Sequence, residues 1–334
     1  MFKVTRALLC ILIILAVMAG CTQDVPTSST STGGSSIKTE DITVGFSIKN
    51  MHSPFYIAVE QAMQDLAVEK GFEIISVNAG GDAAKQQSDI EDLVSRKVDI
   101  LIVDSQDPEA IVAISKNVAA NNIPMVLINT SVNPTATYVT LIQSDNMAIG
   151  RMVGDWAASN MRGEIKIGLL SGNPGNMVGY NRRSGFIQGL TERQLESSNH
   201  TNFSVLTQGW GNWSIEDGLS AAEDMLVAAP DINFIFAEND SMAMGAVTAI
   251  RNAGKEGQIT VAGIDGMKDA LKLVQDGAYG ASGLNSPTEL ARMGVETALD
   301  YLAGNRDIPK LINTTPGLVH SGNVDQYYDP NSSF

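Results

Sequence analysis

The 334-residue chain is short of the side chains that carry covalent and metal chemistry. It has two cysteines, Cys10 and Cys21, and three histidines, His52, His200 and His320. With no cysteine beyond position 21, the fold has neither an internal disulfide nor a thiol nucleophile. The histidines stand far apart without cysteine partners, so a zinc site has little support. No GxxxxGKS/T phosphate loop, no GxGxxG directly after a strand and no GxSxG elbow occurs. Cations are scarce too: 22 Lys and Arg against 37 Asp and Glu leave a net charge of −15. A domain this acidic is repelled by nucleic acid phosphates. Neither a cofactor nor a resident metal is expected.

What is present begins with a leader. Lys3 and Arg6 precede the apolar run ALLCILIILAVMAG, which ends in small residues as a secretory signal does. The junction Met18-Ala19-Gly20-Cys21 resembles the prokaryotic lipobox, in which the cysteine thiol takes a lipid. An uncleaved anchor helix is the alternative, but it ordinarily needs about 20 apolar residues and this run is shorter. Residues 1–20 are therefore read as a lipoprotein signal, Cys21 as the lipidation site, and 21–40 as a flexible tether. The tether, TQDVPTSSTSTGGSSIKT, has too few large apolar side chains to offset its ordering entropy. About 295 residues remain to fold, a length natural for two lobes.

Beyond the tether, apolar strands alternate with amphipathic helices. ITVGFSI precedes a helix over 54–70, with Ser53 as N-cap, Pro54 at the first helical position and Gly71 as the stop. FEIISV, a helix over 83–97 behind Asp82, VDILIV, a helix over 108–121 and PMVLIN follow. The rhythm restarts at EIKIGLL and runs through helices over 178–195, 215–228 and 241–253, with FSVLTQ, INFIFA and QITVAGI as strands. YGASGL, a helix over 287–302 and PGLVHS finish the chain. Continuous apolar strands of this kind suit parallel sheets covered on both faces, so the fold class is α/β.

In open α/β sheets, ligands bind beyond the carboxyl ends of the strands. Polar and aromatic residues gather at those ends here. Lys49, Ser53, Phe55 and Tyr56 follow the first strand, and Asn129 with Thr130 follows the fourth. Arg182 and Arg183 open a helix. Trp213, Asn239 with Asp240, Asp265 and Asn285 complete the set. Singly, each has an ordinary reading as a cap, a surface pair or core. Glu238 and Asp240 read as solvated loop charges, and SGNPGNMVG (171–179) as a flexible strand-to-helix loop.

The segments SPFY, PMVLIN, IQSDNMAIG, NRRSGF, FAENDSMAMGA, VAGIDG and GVETALDYLAG, in that order, resemble the ribose-binding-protein-like branch of the periplasmic binding proteins, across about residues 41–328. The resemblance implies two Rossmann-like lobes joined by three crossing segments near Ser144, Asn285 and Thr315, with a ligand cleft between them. The lobes would be 41–143 plus 286–314 and 144–285 plus 315–334. It also implies an ABC importer's substrate-binding protein, a monomer that performs no chemistry and delivers a sugar or polyol to a permease and its ATPase. Phe55, Tyr56 and Trp213 match the family's aromatic walls, Arg182 its cleft arginine, and Asn239 and Asp265 its hydroxyl-binding residues. Asn285 stands where the ribose binder has glutamine. Asn129-Thr130 replaces the Asp-Arg pair of ribose-type members, which exchanges an ion-assisted grip for a neutral one and puts ribose itself in doubt. Lys49 is read as solvent-facing at the cleft rim; facing inward, it would favour an acidic or phosphorylated ligand.

Three other functions occur on folds of this kind. A sensor subunit feeding a chemoreceptor or kinase uses the same cleft and differs only in its partner. A LacI-type effector domain needs an N-terminal helix-turn-helix, where this chain has a signal and tether. An enzyme on a doubly wound fold needs a cofactor fingerprint or nucleophile.

Overall fold

The computed structural model of the chain describes residues 38–130 and 132–334. The signal sequence, Cys21 and most of the expected tether lie outside the described residues. The tether's last positions enter a 3-10 turn at Thr39–Asp41.

Two six-stranded sheets organise the rest. The first takes β1 (Thr43–Ile48), β2 (Glu73–Asn78), β3 (Ile100–Asp104), β4 (Met125–Ile128), β5 (Leu141–Ser144) and β11 (Leu311–Thr314), in the order β11-β5-β4-β3-β1-β2. The second takes β6 (Ile165–Ser171), β7 (Phe203–Trp210), β8 (Phe234–Ala237), β9 (Thr260–Asp265), β10 (Ala281–Leu284) and β12 (Gly317–His320), in the order β12-β10-β9-β8-β6-β7. Among the described residues every pairing is parallel except β10 with β12. Successive side chains of a strand point to opposite faces, and in β3 both faces are buried. Ile100 and Ile102 join one core with Phe46 and Leu290, while Leu101 and Val103 join another with Leu93 and Ile111.

Helices cover both faces of each sheet. α1 (Pro54–Lys70) and α9 (Pro287–Leu302) pack together on the first sheet, with α2 (Ala83–Ser95) and α3 (Ala110–Ala120) on its other side. The second sheet carries α4 (Asn146–Asn160) and α5 (Met177–Ser198) on one face. α6 (Ile215–Ala228), α7 (Asp240–Asn252) and α8 (Lys268–Gln275) lie on the other. Asp82 caps α2 as expected, accepting from the Ala84 and Lys85 N–H groups at 2.8 and 3.1 Å. Ser53 takes the N-cap position of α1 but makes no side-chain capping bond, so its hydroxyl is left for other partners.

β5, α4, α8 and β11 are elements that the sequence pattern above does not contain. In α4 the reason is physical. Two glycines lower the helix propensity of NMAIGRMVGDWAASN, and both are there for packing. A Cβ on Gly150 would stand 2.1 Å from the Arg182 carbonyl oxygen, and one on Gly154 2.0 Å from that of Phe186. The two helices therefore cross almost backbone to backbone.

Three passages connect the sheets. The chain leaves β5 at Ser144 for α4, returns from β10 through Asn285 to α9, and leaves β11 at Thr314 for β12. These are the crossings that the family resemblance implies.

Candidate functional site

Between the two sheets lies a cleft with two connected chambers. The inner is about 50 Å³ and the outer about 480 Å³, and they share Lys49, Ser53, Tyr56, Asn176, Val178 and Trp213. Of the thirteen strand-end residues named from the sequence, eleven line one chamber or the other, and Arg183 and Asp240 line neither. Thr130 faces the outer chamber, and Phe55, Asn129, Arg182, Asn239, Asp265 and Asn285 face the inner. Strand direction explains the convergence, because β1, β4, β8, β9 and β10 all end at this edge.

On the second-sheet side the polar groups are bonded to one another. Arg182 donates through Nε to Asn146 Oδ1 at 2.8 Å, and through Nη1 to the Glu238 carbonyl at 2.6 Å and Asp265 Oδ1 at 3.1 Å. Asp265 Oδ1 also accepts from Asn285 Nδ2 at 2.8 Å. Burial pushes the Asp265 carboxyl up to about 6, against the lowering pull of Arg182. Asp265 stands at φ +149°, a conformation that side chains other than glycine rarely adopt. Asn239 caps α7 through Oδ1 and donates Nδ2 to the Trp213 carbonyl at 3.3 Å. The Trp213 ring sits over Gly172, where a Cβ would stand 2.0 Å from it.

Glu238 and Asp240 are not solvated loop charges. Glu238 is buried and accepts from the Gly172 N–H at 2.8 Å and Arg183 Nη1 at 2.7 Å. Asp240, also buried, accepts from Tyr279, Ser282 and the N–H groups of Gly266 and Met267. Both brace the ends of strands that carry cleft residues. The 171–179 segment is likewise more than a flexible loop, since Asn176 caps α5 and faces both chambers.

The first-sheet side is built differently. Phe55 is mostly core, edge-on to Tyr56 at 5.5 Å and to Phe334 at 5.9 Å. Tyr56 presents its ring to Lys49, whose Nζ lies 4.8 Å from the centroid. Lys49 is only 9% exposed and lines both chambers, so it is not the solvent-facing rim lysine expected from the sequence. Its nearest carboxylate oxygen is Asp104 Oδ1 at 3.7 Å. Burial works against the Lys49 charge, yet Asp104 and Tyr56 together hold the amine above the ordinary lysine range. Asp104 also accepts from Asn129 Nδ2 at 3.2 Å and from the Thr130 hydroxyl. The Asn129-Thr130 grip is therefore not wholly neutral, because an ion pair stands behind it.

A polar chain ties the site to all three crossings. From Asp265 it runs to Asn285, whose Oδ1 accepts from Ser144 Oγ at 2.5 Å. Ser144 Oγ in turn accepts from Thr314 Oγ1 at 3.1 Å.

Asp104, Asn146, Asn176 and Ser144 belong to the site without being among the candidates that the sequence offers. Asp104 had a signal, since it closes the apolar run VDILIVD at a strand's carboxyl end. His52, one of the three histidines that stand apart in the sequence, is exposed and lines the outer chamber. Among the described residues no cluster of three His, Cys, Asp or Glu side chains is arranged to hold a metal ion.

Comparison with known proteins agrees with this architecture. Residues 44–306 match the family described as the periplasmic binding protein domain. The ribose import binding protein RbsB of Bacillus subtilis (strain 168) is 32% identical over 267 residues, covering 80% of this chain and 84% of the relative. A solved ABC transporter solute binding protein from Mycobacterium smegmatis, with bound glycerol, is 28% identical with a TM-score of 0.79; the match covers 88% of this chain and 98% of that one. Another, from Bacillus halodurans C-125 with bound myo-inositol, is 25% identical with a TM-score of 0.78 and the same coverage. With two six-stranded α/β lobes, three crossings and a cleft at the strand ends, the chain belongs to the ribose-binding-protein-like branch of the periplasmic binding protein family.

Proposed function

We propose that the protein is the lipid-anchored, extracytoplasmic substrate-binding protein of an ABC importer, and that it binds a small sugar or polyol in the interlobe cleft without transforming it. The observation that carries this reading is the convergence of eleven aromatic and hydrogen-bonding side chains on one cleft at the crossings. Aromatic rings suit a sugar's C–H face, and the amides, Arg182 and Asp265 suit its hydroxyls. The ribose, glycerol and myo-inositol named for the relatives support the ligand class.

The moving bodies are residues 41–143 with 286–314, and 144–285 with 315–334. Ligand drives closure only as far as it binds the closed form better than the open one. The closed face is then presented to a permease, while Cys21 carries the lipid that keeps the protein at the membrane.

A thermal-shift screen against pentoses, hexoses, polyols, sugar acids and nucleosides tests the reading. A true ligand raises the melting temperature with concentration, and Arg182→Ala and Asp265→Ala each abolish that rise. An undiminished rise in both variants would move the site elsewhere.

A further inference from the structure

The first-sheet wall holds a charged unit that the family resemblance does not supply. Lys49 Nζ makes no hydrogen bond to a described residue, and its nearest carboxylate oxygen, at 3.7 Å, is too distant for one. The ammonium, on a side chain nine-tenths buried beside Tyr56 and Asp104, thus keeps donor capacity for the two chambers that Lys49 lines. Asp104 is placed the opposite way. It lines neither chamber, and its two oxygens are taken by Thr130 and Asn129. The cation is offered to the cleft while its counter-charge is kept behind the wall.

The facing wall repeats this balance with Arg182 against Asp265. Each side of the inner chamber is therefore neutralised within itself before any ligand arrives. A neutral ligand leaves both balances intact. An anionic one adds a charge that no group in the cleft is left to compensate, at a cost that grows as closure expels water. Lys49 still needs oxygen lone pairs, and hydroxyls provide them without bringing charge.

We propose that Lys49 and Asp104 form the specificity unit of the first lobe. Lys49 donates to hydroxyl oxygens of the ligand, Asp104 is a positioning residue that the ligand does not touch, and together they select a neutral polyhydroxylated ligand over its acid. This deepens the sugar-or-polyol reading of the cleft and rests on it. It also makes Asn129 and Thr130 dependent on Asp104, because the carboxylate that steadies Lys49 is the one that orients them.

The test is calorimetric titration of the wild type, Lys49→Met and Asp104→Asn with matched pairs: D-ribose and D-ribonate, D-glucose and D-gluconate, D-galactose and D-galacturonate. In the wild type, a neutral member that binds does so about tenfold or more tightly than its acid. Asp104→Asn removes the hidden counter-charge and moves that ratio toward the acid by about tenfold, while weakening the neutral sugar. Lys49→Met leaves Asp104 alone behind the wall and moves the ratio away from the acid. A merely structural Asp104 would lower both affinities by one factor, and that result overturns the assignment, as does a wild-type preference for the acid. Should Asp104→Asn fail to fold, the direction of the Lys49→Met change decides. If sugars bind but the ratios do not move, this inference alone fails; if none of the six binds and the wider screen is silent, the sugar reading of the cleft fails with it.

Discussion

The two walls of the cleft solve the problem of burying charge in different ways. On the second-sheet wall, Arg182 is held by Asn146, Glu238 and Asp265, and Asp265 by Arg182 and Asn285, all at hydrogen-bond distance. On the first-sheet wall, Lys49 stands 3.7 Å from Asp104 and over the Tyr56 ring, with no partner among the described residues at ordinary hydrogen-bond distance. The first arrangement is closed on itself and tied to the crossings. The second is open toward the cleft. Damage to the closed wall should register in the stability of the ligand-free protein, and damage to the open wall chiefly in ligand choice.

The largest expected effect breaks or keeps that contrast directly. Arg182→Ala leaves Asp265 buried beside Asp240 without its cation, which costs about 3–5 kcal/mol of stability. Lys49→Met replaces an ammonium that makes no hydrogen bond among the described residues with an apolar chain of similar length. It leaves Asp104 with two hydrogen bonds, from Asn129 and Thr130, where Asp265 is left with the one from Asn285. The lost partner also stood 3.7 Å away rather than 3.1 Å, so the ligand-free loss should be smaller. Urea unfolding of both variants without ligand measures the difference. Equal losses would remove the distinction between the walls.

Next in size is the support beneath Trp213. Its backbone lies at φ +64°, and its ring covers Gly172 so closely that an added Cβ would overlap it. Gly172→Ala must push the ring toward the cleft, with a strain of about 1–3 kcal/mol. The same glycine donates its N–H to Glu238, so the strand end is held while the ring moves. Ligand affinity should fall by about tenfold or more while the polar groups stay in place. Titration combined with tryptophan fluorescence reads both changes, and unaltered affinity would remove Trp213 from the ligand wall.

Acidity separates the walls as well. The Asp265 carboxyl is raised from 3.8 to about 6 by burial, so the folded state holds its proton more firmly than the unfolded chain. Between those values the folded state binds more protons, and its stability from this group rises as pH falls from above 6 toward 4, by up to about 3 kcal/mol. Ligand affinity should move the other way. A protonated Asp265 has lost its charged acceptor, so binding weakens as pH drops through about 6. Asp265→Asn should flatten the stability trend, as measured by unfolding at pH 7 and pH 5. A parallel rise in affinity on acidification would contradict the role given to this carboxylate.

Much of this was legible because strand ends advertise themselves. Runs such as INFIFA and QITVAGI are apolar on both faces, and the polar residue that closes each one falls at the cleft by geometry alone. The eleven cleft residues were found that way, with the family motifs assigning their parts. Asp104 was not, though it obeys the same rule, because nothing local tells that its charge is matched by a lysine 55 positions earlier. Glu238 and Asp240 look like surface acids in FAENDSMAMGA; their burial depends on Arg183, Tyr279 and Ser282, which only the folded chain brings near. The helix α4 was hidden by the glycines that let it approach α5. In each case the missing information was a long-range partner, which local pattern does not carry.

The smallest expected effect lies where the walls meet. Thr314→Val removes the hydroxyl that donates to Ser144, leaving Ser144 still bonded to Asn285 and Asn285 to Asp265. One neutral hydrogen bond is worth about 1 kcal/mol or less here, so the fold should tolerate the change. Ser144, Asn285 and Thr314 nevertheless sit one on each crossing, so the lost bond loosens a tie between passages rather than a contact with ligand. The equilibrium between open and closed forms should shift while the ranking of ligands stays fixed. Apparent affinity scales with the fraction of protein competent to close, so every ligand in a panel should change by the same factor, roughly two- to fivefold. Unequal changes across the panel would mean that the chain shapes the cleft itself, and the division between a selecting wall and a closed wall joined to the crossings would no longer hold.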